Sequence, residues 1–366
     1  MKTINKFSLL LSLLPCFPSQ IFGEEINEPI QRNSFDVFIP DLSPGFEISG
    51  GVVFLKPSAG NLGWGVITNF LPFITPTWHV EEINPNYQAG FSLGARYMFA
   101  KTGIDTQAHW LHLQTSDSQS AQVTPTLQWI SPFSQTGPGT ADTEYDPTGV
   151  GELVRAHATV NFHYDVLNLD AGIYLNVGQN VQMRFFSGLS GARIQQQLVS
   201  TFKGNPTPPT ISLDNKSKFK GIGPRLGFTT SYKLYKSFQF LGEFGVGLLF
   251  GSMQPAQYYF KGSSSALKDL GISVNHEKIS SKTISQTVPS LDAKLGFKYG
   301  YAFCKQYILS IEAGYMGAFY NNPLSGYETN ENILPLELGS LSTGSMKHVQ
   351  SDFSVNGPYA NLSLKF

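Results

Sequence analysis

Charge is scarce in this sequence: Asp, Glu, Lys and Arg together make up 14% of it, against roughly 25% in soluble domains. Arginine is scarcest, with six in 366 residues, at positions 32, 96, 155, 184, 193 and 225. The net charge of -1 removes the electrostatic case for a nucleic-acid partner. Long apolar runs are also missing. Beyond residues 7–17, FSLLLSLLPCF, nothing approaches the ~20 apolar residues of a membrane-spanning helix. Cysteine is limited to Cys16 and Cys304, too little for a disulfide scaffold.

The first run has its own explanation. Lys2 and Lys6 precede it, and PSQIFG leads on to Glu24 and Glu25, the three-part layout of a secretory signal. The reading is a signal peptide over 1–23, although Ile21 is a poor residue three positions before that cleavage point. LLPC is a poor lipoprotein box because Pro15 precedes Cys16. Cleavage leaves 366 - 23 = 343 residues and a single cysteine, Cys304. It is then either an inert small hydrophobe or a thiol available for linkage between chains.

What the chain does have is aromatic residues and glycine. Phe, Tyr and Trp reach 13%, with 28 Phe, 16 Tyr and 36 Gly, at a mean hydropathy of -0.10. Many aromatics, few charges and no spanning helix suit a transmembrane β-barrel, where only alternate residues face lipid. Alternation is the test. In YQAGFSLGARYMF (87–99), Tyr87, Ala89, Phe91, Leu93, Ala95, Tyr97 and Phe99 fall on one strand face, opposite Gln88, Ser92 and Arg96. A helix would scatter them. RAHATVNFHYD (155–165) sets Ala156, Ala158, Val160, Phe162 and Tyr164 against Arg155, His157, His163 and Asp165. Its parity slips near Val166, which suggests a bulge. Further segments follow at 221–234, 238–250, 291–301 and 307–319. Weaker ones lie near Phe46, Trp110 and Phe185, and the chain closes on GPYANLSLKF.

These segments pair through tight links near 102, 175–180, 236 and 304. Long polar stretches separate the pairs at about 57–85, 116–150, 202–217, 252–281 and 322–348. Short turns at one end and long loops at the other are the habit of outer-membrane barrels. The expected fold is therefore all-β, a transmembrane antiparallel up-and-down barrel of ten strands over 45–366. A hidden hairpin in 57–85 or 153–177 would raise the count to twelve. Residues 24–44 read as a periplasmic N-terminal segment.

A lipid-facing Arg would cost about 2–4 kcal/mol at mid-membrane, so the polar faces should point inward. Arg96, Arg155, His157, His163, Arg225, Glu243, Asp292, Lys294, Lys298 and Glu312 are the expected pore-lining residues. Basic residues slightly outnumber acidic ones among them, which favours weak anion preference. Two readings remain open. The charges line an aqueous pore, or they pair across and fill a narrow interior; inward glycines such as Gly90, Gly223, Gly245 and Gly296 favour space.

Chemical motifs are absent. His109 and His112 form H-x-x-H, but a strand sends them to opposite faces, so no metal is expected. His157 and His163 share a face, where a pH-sensitive gate competes with ordinary polarity. GIGPRLG (221–227) lacks dinucleotide-loop spacing. There is no G-x-S-x-G and no Ser/His/Asn set of outer-membrane phospholipase type. Neither enzyme nor cofactor is expected.

GFSLGARYMF, MRFFSGLSGARI, GIGPRLGF and the closing GPYANLSLKF together resemble the Legionella major outer membrane protein family, which has relatives among pore-forming proteins of environmental chlamydiae. The resemblance covers most of the mature chain. It implies a porin-like channel in a Gram-negative outer membrane, and interchain disulfides in some members, for which only Cys304 would serve. It also implies that Leu362, Leu364 and Phe366 form the signal read by the barrel-assembly machinery. Outer-membrane lipid and lipopolysaccharide are the other expected partners, with a homo-oligomer left open. The expected function is passive diffusion of small hydrophilic solutes or ions. The alternative is a structural or adhesive barrel whose surface loops bind host or envelope components without a conducting pore.

Overall fold

A computed structural model describes residues 37–40, 43–69, 77–124, 128–133, 153–204, 210–235, 237–263, 275–280, 282–303, 307–336 and 339–366. The expected signal peptide, Arg32 and Cys304 lie outside the described residues. Among the described residues fifteen strands form, in chain order β1 (Val37–Phe38), β2 (Gly45–Ala59), β3 (Gly63–Asn69), β4 (Thr77–Glu82), β5 (Gln88–Met98), β6 (Ile104–Gln122), β7 (Gln128–Pro132), β8 (Leu153–Val177), β9 (Val181–Gly204), β10 (Thr210–Tyr235), β11 (Phe238–Ser263), β12 (Asn275–Ser280), β13 (Ile284–Phe303), β14 (Tyr307–Leu336) and β15 (Gly339–Lys365).

Backbone pairing closes ten of them into a ring, β8-β6-β5-β2-β15-β14-β13-β11-β10-β9, with β9 returning to β8. Every pair is antiparallel, and ring neighbours are also successive ring strands along the chain. Closure satisfies each strand's hydrogen-bonding groups without water, which a bilayer demands. The tight links gather at one end. There Met98 pairs with Asp105, Val177 with Val181, Tyr235 with Phe238 and Phe303 with Tyr307. The first and last ring strands meet at that end too, Glu47 opposite Lys365.

The expected count of ten holds. A hairpin does exist in 57–85, but β3 and β4 join β7 in a separate three-stranded sheet and leave the ring unchanged. Two short strands extend ring edges: β1 pairs the end of β8 at Val177, and β12 pairs β11 at Gln257–Gly262, beyond the last residue that β13 reaches.

Strand length departs from expectation. A tilted transmembrane strand needs about 9–11 residues, yet β8 to β11 have 24 to 26 each, β14 has 30 and β15 has 27. Much of 202–217, 252–281 and 322–348, expected as loop, is strand carried on past the membrane. Among the described side chains of the ring, the exposed apolar ones gather in the half near the tight turns. Its outward side chains include Leu226, Leu295 and Ile311, 60%, 57% and 55% exposed. That exposure suits only an apolar solvent.

β8 shows where the lipid ends. Its even positions face inward along the whole strand, from Val154 to Tyr174, so the bulge expected near Val166 is absent. The nearest register shift lies between Leu153 and Arg155. Below Val166 the outward residues are apolar, Leu167 and Leu169 being 46% and 49% exposed. Above it the apolar set moves inside, where Ala158, Val160 and Phe162 are fully buried. The backbone keeps its phase while the chemistry of its two faces exchanges.

Candidate functional site: the barrel lumen

The lumen has two storeys. The lower, near the tight turns, is polar. Arg96 on β5 and Arg184 on β9 converge on Asp105 of β6, with Nε–Oδ distances of 3.3 and 2.8 Å, and Tyr174 donates to Asp105 at 3.2 Å. Arg96 also meets Glu47 at 3.8 Å. Arg225 on β10 reaches three carboxylates: Asp170 at 2.6 Å, Asp292 at 2.7 Å and Glu243 at 3.4 Å. Its guanidinium lies 4.5 Å from the Phe186 ring centroid, the cation–aromatic geometry. Lys294 pairs with Glu312, which accepts from Tyr359 at 2.9 Å, and Lys298 meets Glu47 at 3.7 Å. A cavity of about 210 Å³ remains among these groups.

The upper storey is apolar. On strand after strand the inward residue changes type at a similar height. Gly51 gives way to Val53 and Leu55, His109 to Leu111 and Leu113, Ser190 to Ala192 and Ile194, and Ser290 to Val288. Four aromatics bridge the lumen between strands that are not sheet neighbours. Phe162 packs on Phe353 with centroids 5.7 Å apart, Tyr164 on Phe353 at 5.5 Å and on Tyr320 at 5.8 Å. The Tyr164 and Tyr320 hydroxyls hydrogen-bond at 2.9 Å. Leu55, Leu113, Phe162, Ile194, Phe219, Leu249, Leu324 and Phe353 are all 0% exposed. This is a dry layer packed like a protein core.

Seven of the ten expected lining residues therefore face the lumen: Arg96, Arg225, Glu243, Asp292, Lys294, Lys298 and Glu312. Arg155, His157 and His163 do not. They lie on the outward face of β8 above the lipid belt, where water makes a polar exterior favourable and the apolar face turns in. His157 bonds to Ser120 on the outer wall, which removes the expected His157–His163 lumen pair. His109 and His112 do fall on opposite faces, His112 being held outside by Asp165 at 2.6 Å.

Glu47, Asp105, Asp170 and Arg184 complete the ion-pair network and were missed. They sit on segments whose faces the sequence leaves ambiguous, because Asp105 and Asp170 lie beside apolar residues of both parities. With them included, the basic excess disappears. Arg96, Arg184, Arg225, Lys294 and Lys298 meet Glu47, Asp105, Asp170, Glu243, Asp292 and Glu312. Inward glycines do not leave open space either. A Cβ on Gly245 would lie 2.7 Å from Arg225 Nη2, and one on Gly296 would collide with the Tyr359 hydroxyl. Small residues are the sockets for large ones.

At the seam, Leu362 and Phe366 face outward, 50% and 47% exposed. Phe366 exchanges two backbone hydrogen bonds with Phe46, at 2.8 and 2.9 Å, and their rings meet edge to face at 5.6 Å.

A closed ring of antiparallel strands with an apolar outer belt and a polar, ion-paired interior defines an outer-membrane β-barrel protein. The model of the Legionella pneumophila major outer membrane protein precursor family matches residues 38–366, and the chain belongs to that family. Among solved structures it is similar to the outer membrane protease OmpT from Escherichia coli, at 12% identity over 89% of this chain and 99% of that one, with a TM-score of 0.41. It is also similar to the P. putida toluene transporter TodX, at 10% identity over 88% and 89% of the two chains, TM-score 0.29. A third is the CymD monoaromatic hydrocarbon channel, at 9% over 88% of each, TM-score 0.29. No curated protein matches the chain.

Proposed function

We propose that this protein is a surface-presenting outer-membrane barrel whose lumen is closed in its ground state, and not an open diffusion pore. The observation that carries this is the dry layer around Phe162 and Phe353. A hydrated ion would have to shed water to cross it, and an unpaired charge in such a medium costs far more than a hydrogen bond. The extended walls of β8 to β11, β14 and β15 support the same reading, since they carry the ring well past the lipid belt. Contact with host or envelope components is the role proposed for that raised end, and no chemical step is proposed.

The polar chamber favours a second reading, in which the layer parts and small ions pass over the ion-paired residues below. Refolded protein in a planar bilayer separates the two. A silent membrane is expected from protein whose unboiled sample shows the shifted gel mobility of a folded barrel. Discrete conductance steps would overturn the closed reading in favour of the channel. Export is proposed to use the leader over 1–23, and mass spectrometry of the purified protein should find Glu24 at its N-terminus.

A further inference from the structure

The cations inside and outside this barrel are treated differently. Each lumen cation from Arg96 to Lys298 has a carboxylate partner. On the outer wall, Arg193 of β9 and Lys216, Lys218 and Lys220 of β10 have no ion pair among the described residues. Pairing register puts Lys220 beside Arg193 and Lys218 beside Gln195. Four residues of β10 at ~3.3 Å each, and one strand spacing of ~4.8 Å from β9 to β10, give a patch of roughly 13 by 5 Å, with Asp165 of β8 across from Arg193 at its edge. The only acids on that wall among the described residues are Asp165, held by His112, and Asp214, bonded by Gln197. The same wall carries Arg155 and Lys203 higher up.

Position gives the patch its meaning. One step below Lys220 and Arg193 the outer wall becomes apolar, at Ile222 and Leu167, 61% and 46% exposed. A shallow groove begins there, flanked by these two residues and Trp110. Its floor is Gly191, where a Cβ would find nothing nearer than 3.9 Å. A cationic cluster directly above an apolar groove at the edge of a lipid belt matches a lipid with an anionic head and a long acyl chain.

We propose that this wall is a docking site for a phosphorylated glycolipid of the outer leaflet, with phosphates on Arg193, Lys216, Lys218 and Lys220 and an acyl chain along the Gly191 groove. It requires only the membrane placement of the barrel and holds whether or not the lumen conducts. The site also accounts for cations left unneutralised beside lipid, which a bare neutral interface would not reward.

The test uses the full chain refolded in neutral detergent and the thermal midpoint of its gel-mobility shift. Lipopolysaccharide with its lipid phosphates intact should raise the midpoint of the wild type, and the effect should weaken as salt is raised. The same lipopolysaccharide with those phosphates removed should do markedly less. A quadruple variant R193Q/K216Q/K218Q/K220Q should fold, because none of these side chains has a carboxylate partner among the described residues, and should need about tenfold or more additional lipid for the same rise. R155Q/K203Q, higher on the wall, should respond as the wild type does. Equal responses of wild type and quadruple variant would overturn the site. So would equal responses to the two lipids, or a response to inorganic phosphate as large as that to the glycolipid.

Discussion

Arg225 shows what holds the interior together. Its guanidinium is 3% exposed and meets three carboxylates from three other strands, so β8, β10, β11 and β13 are tied through one residue. Asp105 does the same for Arg96 and Arg184 with no exposure of its own. Removing one partner of a buried pair strands the other charge, at about 3–5 kcal/mol. Asp105→Asn should therefore lower stability by about that amount, read as a fall in the gel-mobility midpoint. Adding Arg184→Met should recover part of the loss, since the stranded charge goes too. Arg155, His157 and His163 make the opposite case. On the outer wall in water, their joint replacement by Gln should change stability by under about 0.5 kcal/mol each. A drop as large as that of Asp105→Asn would return them to the lumen.

Among the elements, β15 and β8 carry the most information. Residues 357–366 alternate cleanly, and β15 does pair with β2 to close the ring. Deleting Phe366 removes two backbone hydrogen bonds and one aromatic contact with Phe46, worth roughly 0.5–1.5 kcal/mol each. If its role is assembly, the amount of folded barrel at the surface should fall several-fold, while the barrels that do form melt within a few degrees of wild type. Normal surface levels would argue against that role. In β8 the alternation was legible but its direction was not, because a pattern of period two names two faces without saying which looks at lipid. The slip at Val166 marks the membrane surface and requires no bulge.

For the molecule as a whole, the apolar layer makes a prediction of its own. Replacing Phe162 and Phe353 by Ser should open a wet path and give conductance steps, where the closed reading expects none from the wild type. Gel mobility would confirm that the variant is folded. Should it fail to fold, Leu113→Ser in the same layer is the milder change with the same expected direction. A folded variant as silent as the wild type would mean that the barrel is blocked elsewhere as well.

Sequence alone determined the ring of ten antiparallel strands, the end at which the turns cluster and the lipid belt. All three follow from local period and spacing, which neighbouring residues encode directly. The inward placement of Arg96, Arg225, Glu243, Asp292, Lys294, Lys298 and Glu312 was legible for the same reason, since each lies in a segment with one apolar and one polar face. Tertiary structure decided the rest. Whether Arg155 looks in or out depends on the height of its strand in the membrane, and no local pattern measures height. Whether glycines leave a pore depends on Arg225 and Tyr359 arriving from other strands to fill the space beside them. The apolar layer exists only where strands meet: nine of the ten ring strands contribute a Val, Leu, Ile, Phe or Tyr at one level, β5 places Gly90 there, and each residue looks unremarkable in its own segment.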